Sequence, residues 1–112
     1  MEPAISITVK RDEQATLVCV GGELDIASSQ ALERELSQLQ AETLVIVDLR
    51  DVSFIDSTAL GVLVRAHQRA HDQRRRLGVV YAEGQVSRLL SLTGLEHELL
   101  LADSPEQLLD GR

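Results

Sequence analysis

Ile5, Ile7 and Val9 alternate with Ser6, Thr8 and Lys10, the period of two that marks a half-buried β-strand. The polar run Arg11 to Gln14 makes a turn, and Leu17 to Val20 follows as a continuous apolar strand closed by Gly21-Gly22. From Ser28 the period becomes helical, with leucines 32, 36 and 39 on one face. Ser28 is the expected N-cap of that helix. Thr43 to Leu49 is rich in β-branched residues and apolar on both faces, as suits a central strand covered by helices.

A loop is expected over Arg50 to Asp56, and then a helix over Ser57 to Asp72 with Leu60, Leu63 and Val64 in its apolar stripe. Leu77 to Ala82 reads as another buried strand. Val86, Leu89, Leu90 and Leu92 belong to a short helix that ends at Gly94, a left-handed cap. Glu98 to Ala102 is a last short strand. Ser104, Pro105 and Gln107 then stand as N-cap, first helical residue and N3 of a brief final helix. The element order is β-β-α-β-α-β-α-β-α. Strands separated by single helices pair in parallel through right-handed crossovers, while the opening pair, with no helix between its members, pairs antiparallel. The expected fold is a single α/β domain over residues 1–112, with a mixed, mostly parallel sheet and one antiparallel edge strand.

Composition narrows what such a domain does. Its 112 residues carry 11 Lys and Arg against 18 Asp and Glu, a formal charge of −7. That balance argues against direct nucleic-acid binding, which rests on cationic neutralisation of phosphates. Phe54 and Tyr81 are the only aromatics, too few for a base-stacking platform. The single cysteine, Cys19, excludes an internal disulfide and any cysteine-based zinc cage; inside an apolar strand it reads as a small core residue. The longest apolar stretch, Ala59 to Val64, falls far short of the ~20 residues that span a bilayer. No basic start leads into an apolar signal segment. The expectation is a soluble, cytoplasmic protein without a membrane partner.

Asp48 to Gly61 is where chemistry concentrates. A buried strand ends there, a loop crosses its carboxyl edge, and Asp56-Ser57 opens a helix; sites in open α/β sheets gather at that edge. At a helix start, free backbone N–H groups and the positive end of the helix dipole point outward, so a phosphate on Ser57 fits without unfolding the helix. Gly61 weakens the helix near its first turn and implies a close approach. The same residues also read simply as a helix cap, with Asp56 or Ser57 satisfying first-turn amides. Asp48, Asp51 and Asp56 suggest a phosphate-accepting receiver site, but such a site needs a lysine near its last strand, and the only lysine is Lys10. His67 and His71 stand one helical turn apart with no third ligand evident. Arg74-Arg75-Arg76 reads as a solvated loop. No nucleophile, base and orienting group occur together, nor any phosphate-cradling glycine loop, so neither an enzyme nor a cofactor is expected.

Gly22-Glu-Leu-Asp25, followed some thirty residues later by Phe54-Ile-Asp-Ser-Thr-Ala-Leu-Gly61, closely resembles the STAS domain of anti-sigma-factor antagonists. The resemblance covers nearly the whole chain, including Ser91-Leu-Thr-Gly-Leu95. It implies that Ser57 is phosphorylated by a partner serine kinase that doubles as the anti-sigma factor, and that Asp25 and Asp56 lie in the partner contact with Ser57, Thr58 and Gly61. It also implies a serine phosphatase that resets the domain. Binding when unphosphorylated would release a sigma factor. Ala59 replaces a glycine common in the family, which places an added methyl at the expected partner surface. An alternative within the same resemblance is a STAS subunit that binds a membrane-transport ATPase without phosphorylation. The oligomeric state is left open.

Overall fold

The computed structural model describes residues 5–110. Five strands form one sheet in the order β1-β2-β3-β4-β5: β1 (Ile5–Arg11), β2 (Thr16–Leu24), β3 (Leu44–Ile55), β4 (Arg76–Val80) and β5 (Leu100–Ala102). The first two pair antiparallel around the Arg11–Gln14 turn, where the Asp12 carboxylate accepts from the amides of Gln14 and Ala15 at 2.8 and 2.9 Å. Every later pairing is parallel. The crossovers are α1 (Ile26–Ser37), α2 (Ser57–Asp72) and α3 (Gln85–Thr93), and α4 (Pro105–Asp110) closes the described chain.

The apolar run of β3 is divided between two layers. Val45, Val47 and Leu49 face the main core with Leu32 and Leu36 of α1, Leu60 and Leu63 of α2, and Val86 and Leu90 of α3. Leu44 and Ile46 face a second, smaller core closed by Leu108 of α4. This two-sided burial is why the segment lacks strand alternation in its polarity. Gly78 makes room for α4, since a Cβ there would stand 2.6 Å from Leu108 Cδ1.

Several boundaries differ from those expected. β2 runs through Gly21-Gly22 to Leu24, and Gly22 takes φ 98°, a conformation that glycine adopts without a Cβ penalty. β3 does not give way to a loop at Arg50. It continues to Ile55 beside β2, with register shifts between Cys19 and Gly21 and between Gly22 and Glu23 that absorb extra residues on β3. A single 3-10 turn, Leu95–His97, precedes β5 and shortens that strand to three residues. Leu92, carried by α3 as expected, is 83% exposed, whereas Val86 and Leu90 of the same helix are buried.

Candidate functional site

β2 and β3 lie parallel and end together, with Leu24 opposite Ile55. Each then turns directly into a helix, so α1 and α2 begin side by side at the carboxyl edge of the sheet. Both are capped by an aspartate in extended backbone, Asp25 for α1 and Asp56 for α2. The Asp56 amide donates to the Leu24 carbonyl at 3.1 Å, tying one helix start to the strand that feeds the other.

The cap of α1 is therefore Asp25 and not Ser28. Asp25 Oδ1 accepts from the Ser28 amide at 3.0 Å, and Ser28 Oγ accepts from the Asp25 amide at 2.9 Å, a reciprocal capping box. The serine is buried at the third helical position, and its hydroxyl also lies 2.8 Å from the Glu23 carbonyl. Bonds from the Ser28 amide and hydroxyl hold the Asp25 carboxyl below its ordinary value and keep it ionised. In α2, Asp56 Oδ1 accepts from the Ala59 amide at 3.0 Å.

Ser57 is the first residue of α2 and is exposed, as is Thr58 beside it. Their amides belong to the first turn, which has no intrahelical acceptors. Asp25 and Asp56 line one shallow depression with Ile26, Ala27 and Gln30. It adjoins a groove between α1 and α2 that includes Ile26, Gln30, Arg34, Thr58, Val62 and Arg65. Ile26 is 65% exposed and Phe54 is 41% exposed. The rim of the two helix starts thus combines two carboxylates, an exposed hydroxyl and the uncovered Ile26 side chain, whereas Phe54 neighbours core-facing Ile55 on β3.

Residues 6–108 match the family model of the STAS domain. The chain belongs to the STAS family. Among curated relatives, the anti-sigma-B factor antagonist of Bacillus subtilis (strain 168) is 32% identical over 93 residues, covering 82% of this chain and 85% of that protein. The anti-sigma-B factor antagonist of Staphylococcus aureus is 32% identical over 81 residues, covering 70% and 75%. The crystal structure of an anti-sigma factor antagonist from Mycobacterium paratuberculosis superposes with a TM-score of 0.88 at 26% identity, covering 96% of this chain and 92% of that one.

Two small residues of the STAS motif act differently from expectation. Ala59, where many STAS domains carry glycine, is fully buried in the main core. Its methyl does not reach the surface, because the third residue of α2 turns toward the sheet. The close approach at Gly61 comes from the chain itself: a Cβ there would stand 3.1 Å from Arg65 Nη1, so the guanidinium lies over the glycine.

Sequence reasoning missed Gln85, the first residue of α3. Its side-chain amide accepts from the Ile55 N–H and donates to the Ile55 carbonyl, both at 2.8 Å. The signal is topological: β4 pairs β3 only from Leu44 to Asp48, so the edge of β3 facing away from β2 has no strand partner at Ile55.

The remaining candidates lie elsewhere in this STAS domain. Asp48, eight residues before Asp56, is 9% exposed and its carboxylate bonds to Arg50 Nε and Nη2 at 3.0 and 2.7 Å. Burial pushes its carboxyl up, but the bonds and charge of Arg50 outweigh that and hold it below the ordinary range. The Asp48 carboxylate is engaged by this ion pair. Arg76 begins β4 opposite Leu44, so the arginine run sits at the far end of the strands from Ser57. There Arg75 Nη1 donates to the Glu42 carbonyl at 3.3 Å. His67 Nδ1 lies 3.3 Å from the Leu77 carbonyl. Among the described residues no group of three His, Cys, Asp or Glu could hold a metal, and no helix is long and apolar enough to cross a membrane. Cys19 is a half-buried free thiol in β2.

Proposed function

We propose that this STAS domain is an anti-sigma-factor antagonist whose docking is switched by phosphorylation of Ser57. One observation carries the reading: Ser57 is exposed at the first residue of α2, on a rim that also holds Asp25, Asp56 and Ile26. Unphosphorylated, the rim around Asp25, Asp56, Ser57, Thr58 and Gly61 docks on a serine kinase that is also the anti-sigma factor, and the sigma factor is released. The relatives that bear the name anti-sigma-B factor antagonist support the same assignment.

The domain is then substrate and docking partner rather than enzyme. His67 lies ten residues along α2, about 15 Å of helix rise from Ser57, so no side-chain base of α2 serves the hydroxyl. The kinase supplies ATP, Mg²⁺ and the base. Ser57 Oγ attacks the γ-phosphorus, the bond to the β-phosphate oxygen breaks, ADP leaves, and the hydroxyl proton passes to the kinase. The product carries about −1.5 to −2 more charge next to the Asp56 carboxylate. Burying that charge among carboxylates in a desolvated contact opposes docking, and each ~1.4 kcal/mol lowers affinity tenfold. A serine phosphatase hydrolyses the ester and restores the docking form.

Calorimetric titration of the unphosphorylated domain into the complex of kinase and sigma factor tests the reading. The expected result is binding with stoichiometric release of sigma. Capture of a transport ATPase subunit with no affinity for any kinase anti-sigma factor would overturn it.

A further inference from the structure

We propose that Gln85 is a positioning residue for the Ser57 hydroxyl, acting through a two-point clamp on the Ile55 peptide; the inference rests on Ser57 being the phosphoacceptor. Ile55 is fully buried and stands two residues before Ser57. Its backbone N–H and carbonyl both need partners, because an unpaired buried backbone group is strongly unfavourable. On that edge β3 has outrun β4, whose last paired position is Val80 opposite Asp48. Gln85 supplies both missing partners at 2.8 Å from one side chain. A side-chain amide carries a donor and an acceptor so spaced without needing to be protonated, as a carboxyl group would.

The clamp works against a fixed point on the other side. One residue later, the Asp56 amide donates to the Leu24 carbonyl at 3.1 Å. The peptide that launches α2 is thus held from the β2 side by backbone and from the α3 side by Gln85 alone. The origin of Gln85 is itself set. Gly84 takes φ 148°, which side-chain-bearing residues rarely adopt, and Ser87 Oγ accepts from its amide and donates to its carbonyl, both at 2.9 Å. The start of α3 therefore sets Gln85, Gln85 sets Ile55, and Ile55 sets the direction in which Ser57 presents its hydroxyl. Phosphoryl transfer depends on in-line alignment, and a misplacement of about 1 Å can lower a rate ~100-fold.

Gln85→Met fills similar volume and removes both bonds. By amide hydrogen exchange, Ile55 should exchange at least ~10-fold faster than in the wild type. With the cognate kinase, kcat for phosphate transfer should fall ~10-fold while KM stays within about twofold, because Asp25 and Ile26 remain in place for docking. Gln85→Glu keeps an acceptor for the Ile55 N–H but sets a second carboxylate oxygen against the Ile55 carbonyl, so it should restore the Ile55 protection and kcat only in small part. Gly78→Ala, destabilising at the α4 side, should lower the melting temperature without changing kcat. The proposal fails if Gln85→Met leaves Ile55 protection or kcat unchanged. It also fails if Gln85→Glu, which lacks the donor, protects Ile55 as fully as glutamine does, or if Gly78→Ala depresses kcat equally. A wild-type domain that takes up no phosphate, with Ile55 still released by Gln85→Met, would remove the phosphoacceptor reading and leave the clamp standing, so the two failures are distinct.

Discussion

Replacing Asp56 by alanine and by asparagine separates its service to the helix from its service to a partner. In alanine the bond that Asp56 Oδ1 accepts from the Ala59 amide, 3.0 Å long, disappears together with a negative charge at the start of a 16-residue helix. Loss of such a cap costs about 1 kcal/mol, and loss of the favourable charge at the helix dipole about 0.3–1 kcal/mol more. Asp56→Ala should therefore lose about 1.5–2 kcal/mol, read as a lower urea midpoint at unchanged slope. In a domain near this size that is a fall in melting temperature of roughly 6–8 °C. Asparagine caps as well as aspartate, so Asp56→Asn should lose only the dipole contribution, about 0.5 kcal/mol. Binding then decides the second role. If the carboxylate contacts the anti-sigma partner, Asp56→Asn lowers affinity at least tenfold, about 1.4 kcal/mol, in a domain that is still folded. Two results would refute the reasoning: Asp56→Ala within about 0.3 kcal/mol of wild type, which removes the cap, or Asp56→Asn with native affinity, which reduces Asp56 to a cap alone.

Two further expectations concern the scaffold. Gly78→Ala forces Leu108 away from a Cβ that would stand 2.6 Å from its Cδ1, and overpacking of this kind should cost about 1–3 kcal/mol in urea denaturation, with faster amide exchange in α4. Acid should destabilise the fold through Asp25 and Asp48, both held below the ordinary aspartate value of 3.8. A depressed native value makes the contribution full above 3.8 and progressively lost as pH falls through the native values, because the unfolded chain takes up protons first. Stability measured by urea titration should hold at pH 5 and decline below about pH 4, and Asp48→Asn should flatten that decline.

The parts legible in the sequence were those governed by neighbours along the chain. α2 runs from Ser57 to Asp72 as its pattern predicts, because Asp56 caps it locally and Arg74 leaves it at φ 60°. Gly94 ends α3 in the left-handed conformation for the same local reason. The N-cap of α1 was misplaced by three residues because Asp25 and Ser28 are both competent caps, and only the capping box assigns serine to the third position. The extension of β3 beyond Asp48 depends on pairing with β2 through shifted register, which hydropathy does not encode. The inward direction of Ala59 depends on how α2 sits on the sheet. Gln85 was invisible because its partner, Ile55, is thirty residues away and bonds through its backbone.

The most direct test of the switch is to incubate the domain with its cognate kinase and ATP, locate the added phosphate by fragment mass spectrometry, and titrate the isolated phosphorylated form against the kinase. A single phosphate at Ser57, absent from Ser57→Ala, with affinity at least tenfold below that of the unmodified domain, is the predicted result. Phosphate on another residue, or a phosphorylated Ser57 that binds as tightly as the free hydroxyl, would contradict the account.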